Sequence, residues 1–152
     1  MPELTADQVR ARCIEIFETA FPKQKFVTAD DLKKFCELLS PNAVSWDCPL
    51  GSDNGHIEKP NPDTLYAWFL ANFDPNALAY TEWIAGDVLV SGNTCSFRKG
   101  FFCPMNKAYV QAETFLIMEI DNDGKLVRWI DHYDAEDVGK QFGVAAKINE
   151  GS

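Results

Sequence analysis

The chain has little positive charge and no long apolar run. Against 23 Asp and Glu stand only 14 Lys and Arg, a formal net charge of −9 over 152 residues. The basic stripe expected of a nucleic-acid or anionic-membrane partner is therefore missing. No apolar stretch approaches the roughly 20 residues a bilayer span needs, and no basic segment followed by an apolar one opens the chain. A cytoplasmic protein with neither kind of partner is the expectation. Also absent are a glycine-rich phosphate loop, a zinc-type ligand spacing and a nucleophile elbow, which disfavours nucleotide, metal and acyl-enzyme mechanisms. The cysteines, Cys13, Cys36, Cys48, Cys95 and Cys103, are odd in number and show no close pairing, so they read as reduced packing thiols.

What is present is 46% hydrophobic and 24% charged sequence, suited to one globular domain over 1–152. The first half is patterned for helices. Thr5 and Gln8 form a capping box, after which Val9, Cys13, Ile16, Phe17 and Ala20 recur at helical spacing until Pro22. A second helix is expected from Thr28, with Asp30 and Asp31 in its first turn and Leu32, Phe35, Cys36 and Leu39 buried before Pro41. A short strand at 43–47 leads into a Gly-, Asp-, Asn- and Pro-rich segment, Pro49 to Pro60, which reads as a loop. Asn61 then caps a third helix containing Tyr66, Trp68 and Phe69. From Leu78 the pattern turns to strands over 78–91, 94–103, 108–120 and 125–133, with a tight turn at Gly92-Asn93 and a looser one at 104–107. Asp134 and Asp137 open a short terminal helix. About three N-terminal helices against a long, curved antiparallel sheet make an α+β cone whose concave face is an internal pocket.

The last two strands flank Asn122-Asp123-Gly124, where Gly124 supplies the positive φ of a bulged hairpin. With Asp121 opposite Lys125, alternation places Tyr109, Gln111, Glu113, Phe115 and Ile117 on the inner face with Val127, Trp129, Asp131 and Tyr133. A slip of one residue would turn Glu113 outward. Carboxylates among these aromatics must be paired, hydrogen-bonded or protonated, because an isolated charge is too costly to bury. The opposite face, with Val110, Ala112, Thr114, Leu116, Met118 and Ile130, is also apolar. Helices cover only one face, so a two-fold sheet-to-sheet homodimer is expected through the other.

The strand and turn VSWDCPL at 44–50 and the closing string DGKLVRWIDHYD, set among these helices and strands, resemble the nuclear transport factor 2-like superfamily over nearly the whole chain. Within it the SnoaL-like polyketide cyclases and limonene epoxide hydrolases are most similar. The resemblance implies a cofactor-independent isomerase or cyclase that works by acid-base chemistry on an apolar small molecule. Epoxide hydrolase or dehydratase chemistry is the alternative within that fold, and a non-catalytic ligand-binding or protein-interaction module is the alternative of another class. In the epoxide hydrolase branch an Asp, Arg, Asp constellation activates water. Asp131 matches its closing-strand carboxylate, Ser45 and Asp47 lie where that branch positions water, and Lys99 stands nearest the bridging Arg. Phe101 occupies the place of the second Asp, a departure that leaves the reaction class open.

Asp131 leads the catalytic candidates as general acid or base, with Glu113 as counterpart, Tyr109 as donor to a developing oxyanion, Lys99 to hold a carboxylate or enolate oxygen, and Asp47. Ser45, Phe101, Phe115, Trp129, Tyr133 and Tyr66 are expected to line the substrate. No cofactor and no metal are called for. His56 lies in the loop expected at the cavity mouth, and His132 has outward parity.

Overall fold

The computed structural model describes residues 2–21, 25–48, 55–73, 77–83, 88–105, 108–133, 136 and 140, without side chains at 25, 26, 77–83, 99–105, 108–113 and 133. Three helices begin at reciprocal capping boxes. Thr5 N donates to Gln8 Oε1 at 2.9 Å and Gln8 N to Thr5 Oγ1 at 3.2 Å, opening α1 (Ala6–Ala20). Thr28 with Asp31 opens α2 (Ala29–Cys36), and Asn61 with Thr64 opens α3 (Pro62–Asn72). Each box satisfies N–H groups that a first turn leaves without intrahelical partners. No helix among the described residues is long and apolar enough to cross a membrane.

The strands are β1 (Lys25–Val27), β2 (Ser45–Asp47), β3 (His56–Glu58), β4 (Ala77–Trp83), β5 (Leu89–Ser91), β6 (Thr94–Met105), β7 (Ala108–Ile120) and β8 (Leu126–Tyr133). They form one sheet in the order β1-β4-β6-β7-β8-β2-β3, with β5 paired to β6. Neighbours are antiparallel except β2 and β8, which run parallel. The α+β cone expected from the sequence is present. Its details differ where elements are short: β3 falls inside the segment read as a loop, and β1 was not anticipated. Three residues are too few to show alternation, and both strands owe their existence to a partner edge. The single strand expected over 78–91 is β4 and β5. The terminal helix lies outside the described residues apart from the helical Glu136 and Lys140.

A bulge decides which residues face inward. Asp121 N donates to Lys125 O at 2.9 Å and Gly124 has φ +75°, as the turn requires. Ile120 pairs with Leu126, but Glu119 pairs with Arg128, so Val127 is the extra residue on β8. Its carbonyl accepts from Val44 N at 2.7 Å, which helps hold the segment leading into β2 alongside β8. One added residue reverses parity beyond it. Thr114, Leu116 and Met118 are therefore buried with Trp129 and Asp131, whereas Phe115 is 44% exposed. Leu116, expected at a dimer interface, lies in the core.

The core forms between the helices and this inner face. Phe17 of α1 and Phe35 of α2 pack on Trp129, Trp46 stacks on Trp129 with ring centroids 4.8 Å apart, and Phe69 of α3 meets Trp46 edge-on at 5.4 Å. Cys13, Cys36, Cys48 and Cys95 are buried thiols. Burial pushes the Cys36 thiol from 9.0 up to about 12. The unfolded chain therefore loses this proton first. Cys36 contributes its full stability below about pH 9, and loses it at up to about 1.4 kcal/mol per pH unit as pH rises toward 12. Melting temperatures at pH 8 and pH 10.5 should show a shallower alkaline decline for Cys36→Ala than for the parent. Parallel declines would contradict it.

Candidate functional site

Asp131 lies on the inner face of β8, 4% exposed, directly opposite Leu116 and two residues beyond Trp129. β2 approaches it from the other side. The parallel register pairs Trp46 with Trp129 and Asp47 with Ile130, and Cys48 follows one step on. The Cys48 thiol donates to Asp131 Oδ2 at 3.9 Å, both groups being buried, while Cys48 N is held by Gly55 O at 2.8 Å. Thr114, 2% exposed, is the next residue along the inner row of β7 from Leu116. The resulting group is a hydrogen-bonded carboxylate and thiol beside an aromatic column, with the Thr114 hydroxyl on the same inner face but bonded to neither. It can move or hold a proton in surroundings that exclude water.

The expected site residues divide between the two faces of the sheet. Asp131 and Trp129 are inside, and Tyr66 on α3 is half-buried against the core. Ser45 and Asp47 alternate with the buried Trp46 and Cys48, so they occupy the outer face and do not meet Asp131. Phe115 is outside as well. In the register of β6 and β7, positions 99 and 101 lie opposite 114 and 112 on the inner row, and position 133 lies opposite 114. Positions 109 and 113 alternate with these and share Phe115's row, which separates them from 131. The side chains of Lys99, Phe101, Tyr109, Glu113 and Tyr133 are outside the described residues.

The outer face carries its own polar pairs. His56 stands opposite Asp47 across β2 and β3, and its Nδ1 is in hydrogen-bonding contact with Asp47 Oδ1. This corrects the placement of His56 in a loop. Arg128 Nε pairs with Glu119 Oε2 at 3.4 Å beside Ser45. Among the described residues no group of three or more His, Cys, Asp or Glu is arranged to hold a metal ion. Cys48 and Thr114 were missed as neighbours of Asp131. Cys48 had a readable signal, since Val44-Ser45-Trp46-Asp47-Cys48 alternates with Trp46 and Cys48 on one parity. Thr114 had none, because its orientation depends on the bulge.

No family model and no curated protein matches the sequence. Solved structures do match in fold. The epoxide hydrolase/cyclase-like enzyme SalBIII, described in pyran ring formation in the polyether salinomycin, aligns at a TM-score of 0.62 and 15% identity, over 86% of this chain and 94% of its own. An LEH-like epoxide hydrolase of M. tuberculosis aligns at 0.58 and 18% identity, over 93% and 96%. A phenazine biosynthesis-related protein of Pseudomonas aeruginosa aligns at 0.58 and 15% identity, over 95% and 88%. The chain shares with these proteins a cone-shaped α+β fold of the nuclear transport factor 2-like type.

Proposed function

We propose that the protein is a cofactor-independent enzyme that isomerises or cyclises a mostly apolar small molecule, with Asp131 as the group that transfers the proton. The observation that carries this reading is a carboxylate 4% exposed, hydrogen-bonded by a thiol, on the inner sheet face one step along its row from Trp129, which stacks on Trp46. The fold's likeness to cyclase- and epoxide hydrolase-like proteins supports small-molecule chemistry without naming the reaction. Lys99 and Phe101 stay in the proposal through their inner-row register. Glu113 and Tyr109 do not share Asp131's row, and Asp47 turns toward His56 instead. Epoxide opening or dehydration by the same carboxylate is the alternative chemistry, and ligand binding without turnover is the alternative of another class. Turnover of a β,γ-unsaturated ketone and of a cyclic epoxide, compared between the parent and Asp131→Asn, tests it. Equal rates would refute the role given to Asp131.

A second copy of the chain is the partner this reading carries, seated on the outer sheet face. Phe115 is exposed there, with Ile117 and Ile130 half-buried beside it. Sedimentation should give a dimer at micromolar concentration that Phe115→Lys with Ile130→Lys dissociates. A monomeric parent would contradict this.

A further inference from the structure

We propose that the concave face recognises a neutral, oxygen-bearing ligand, rich in hydrogen-bond acceptors and poor in donors, through three indole N–H groups. The inference rests on the reading of that face as a small-molecule site and specifies the class of molecule. Trp46 on β2, Trp68 on α3 and Trp129 on β8 belong to one aromatic cluster. Trp46 stacks on Trp129 at 4.8 Å and meets Trp68 edge-on at 5.5 Å. The three are 1, 8 and 1% exposed, and none of their Nε1 atoms meets an acceptor among the described residues.

An indole N–H can only donate. Folded proteins leave few buried donors without an acceptor, because desolvation is then uncompensated, so three in one cluster point to an acceptor that the described residues do not provide. A fourth buried polar atom without a partner, Thr114 Oγ1, lies on the same inner face. The complementary molecule presents lone pairs at ketone, ether, epoxide or lactone oxygens. An anion is opposed by the Asp131 carboxylate and by the formal charge of −9. A cation would need open ring faces, yet Trp46 and Trp129 cover each other and Phe35 approaches both.

The test uses the full chain with 15N in its indoles and follows the Nε1–H signals during titration. β-Tetralone is the probe, and tetralin, which has the same carbon skeleton without the carbonyl, is the control. The three signals should move downfield with the ketone and stay with the hydrocarbon. Trp46→Phe, Trp68→Phe and Trp129→Phe should each remove one signal and weaken ketone binding about fivefold relative to tetralin, the worth of one hydrogen bond. Upfield signals that ignore the ketone would show that the N–H groups end on neighbouring rings, which overturns the proposal. So would equal shifts with tetralin, or tighter binding of tetramethylammonium. The readout needs no turnover. Loss of activity in Asp131→Asn with silent indoles would sink this inference alone, whereas responsive indoles in a protein without turnover would sink the acid-base reading alone.

Discussion

Asp131→Asn is expected to lower turnover about 10²-fold or more while the fold survives, since a positioned acid or base is typically worth 10²–10⁴. Asparagine keeps the size and one acceptor oxygen of the side chain, so the Cys48 thiol retains a partner while the titrating proton is lost. A cut in kcat with little change in KM would show that the carboxylate acts in the transition state and not in binding. A Cys48→Ala variant adds a control that a purely structural Asp131 would not produce. Removing the thiol takes a hydrogen bond from the carboxylate, which should lower turnover while leaving the fold in place. Turnover within a few-fold of the parent in Asp131→Asn would make Asp131 a packing partner of Cys48.

Trp129→Ala should remove about 3–5 kcal/mol of stability, the usual cost of truncating a large buried aromatic. Trp129 is 1% exposed and packs on three other elements: α1 through Phe17 at 6.2 Å, α2 through Phe35 at 5.6 Å, and β2 through Trp46 at 4.8 Å. Its loss opens a cavity that no single neighbour can fill. Against a total stability of about 5–15 kcal/mol, this places the variant close to unfolding at ordinary temperature. Urea unfolding should show a lower midpoint with an unchanged slope, which marks lost stability with no change in the surface exposed. Trp129→Phe should recover more than half of the loss. A cost below about 1 kcal/mol for the alanine variant would mean that the column is not packed as the ring distances describe.

Local features of the sequence carried much of this fold. Thr5 with Gln8, Thr28 with its acidic first turn, and Asn61 before Pro62 mark helix starts through hydrogen bonds spanning three residues, and such bonds form wherever the chain places those side chains. The turns at Gly92-Asn93 and at 122–124 are legible for the same reason: the structure has positive φ at Gly92 and Gly124, where glycine adopts it without strain. The burial of Val9, Cys13, Ile16, Phe17 and Ala20 follows from a helical period that needs no tertiary partner to be recognised. Asp131 was likewise visible as an acid inside an apolar strand.

The grouping around Asp131 was decided only in three dimensions. β7 and β8 are apolar on both parities, so the pattern accommodates either register, and the extra residue at Val127 costs little because both Val127 and Arg128 stay half-buried. That bulge moved Thr114, Leu116 and Met118 inside and Phe115 outside. The parallel pairing of β2 with β8 joins residues about 80 positions apart, and no local signal encodes it; it brought Cys48 to Asp131 and turned Asp47 toward His56. Helix caps and turns are short-range hydrogen-bond chemistry written in neighbouring residues. Which side chains meet across a sheet depends on a register that one residue can reverse, and only the packed core selects it.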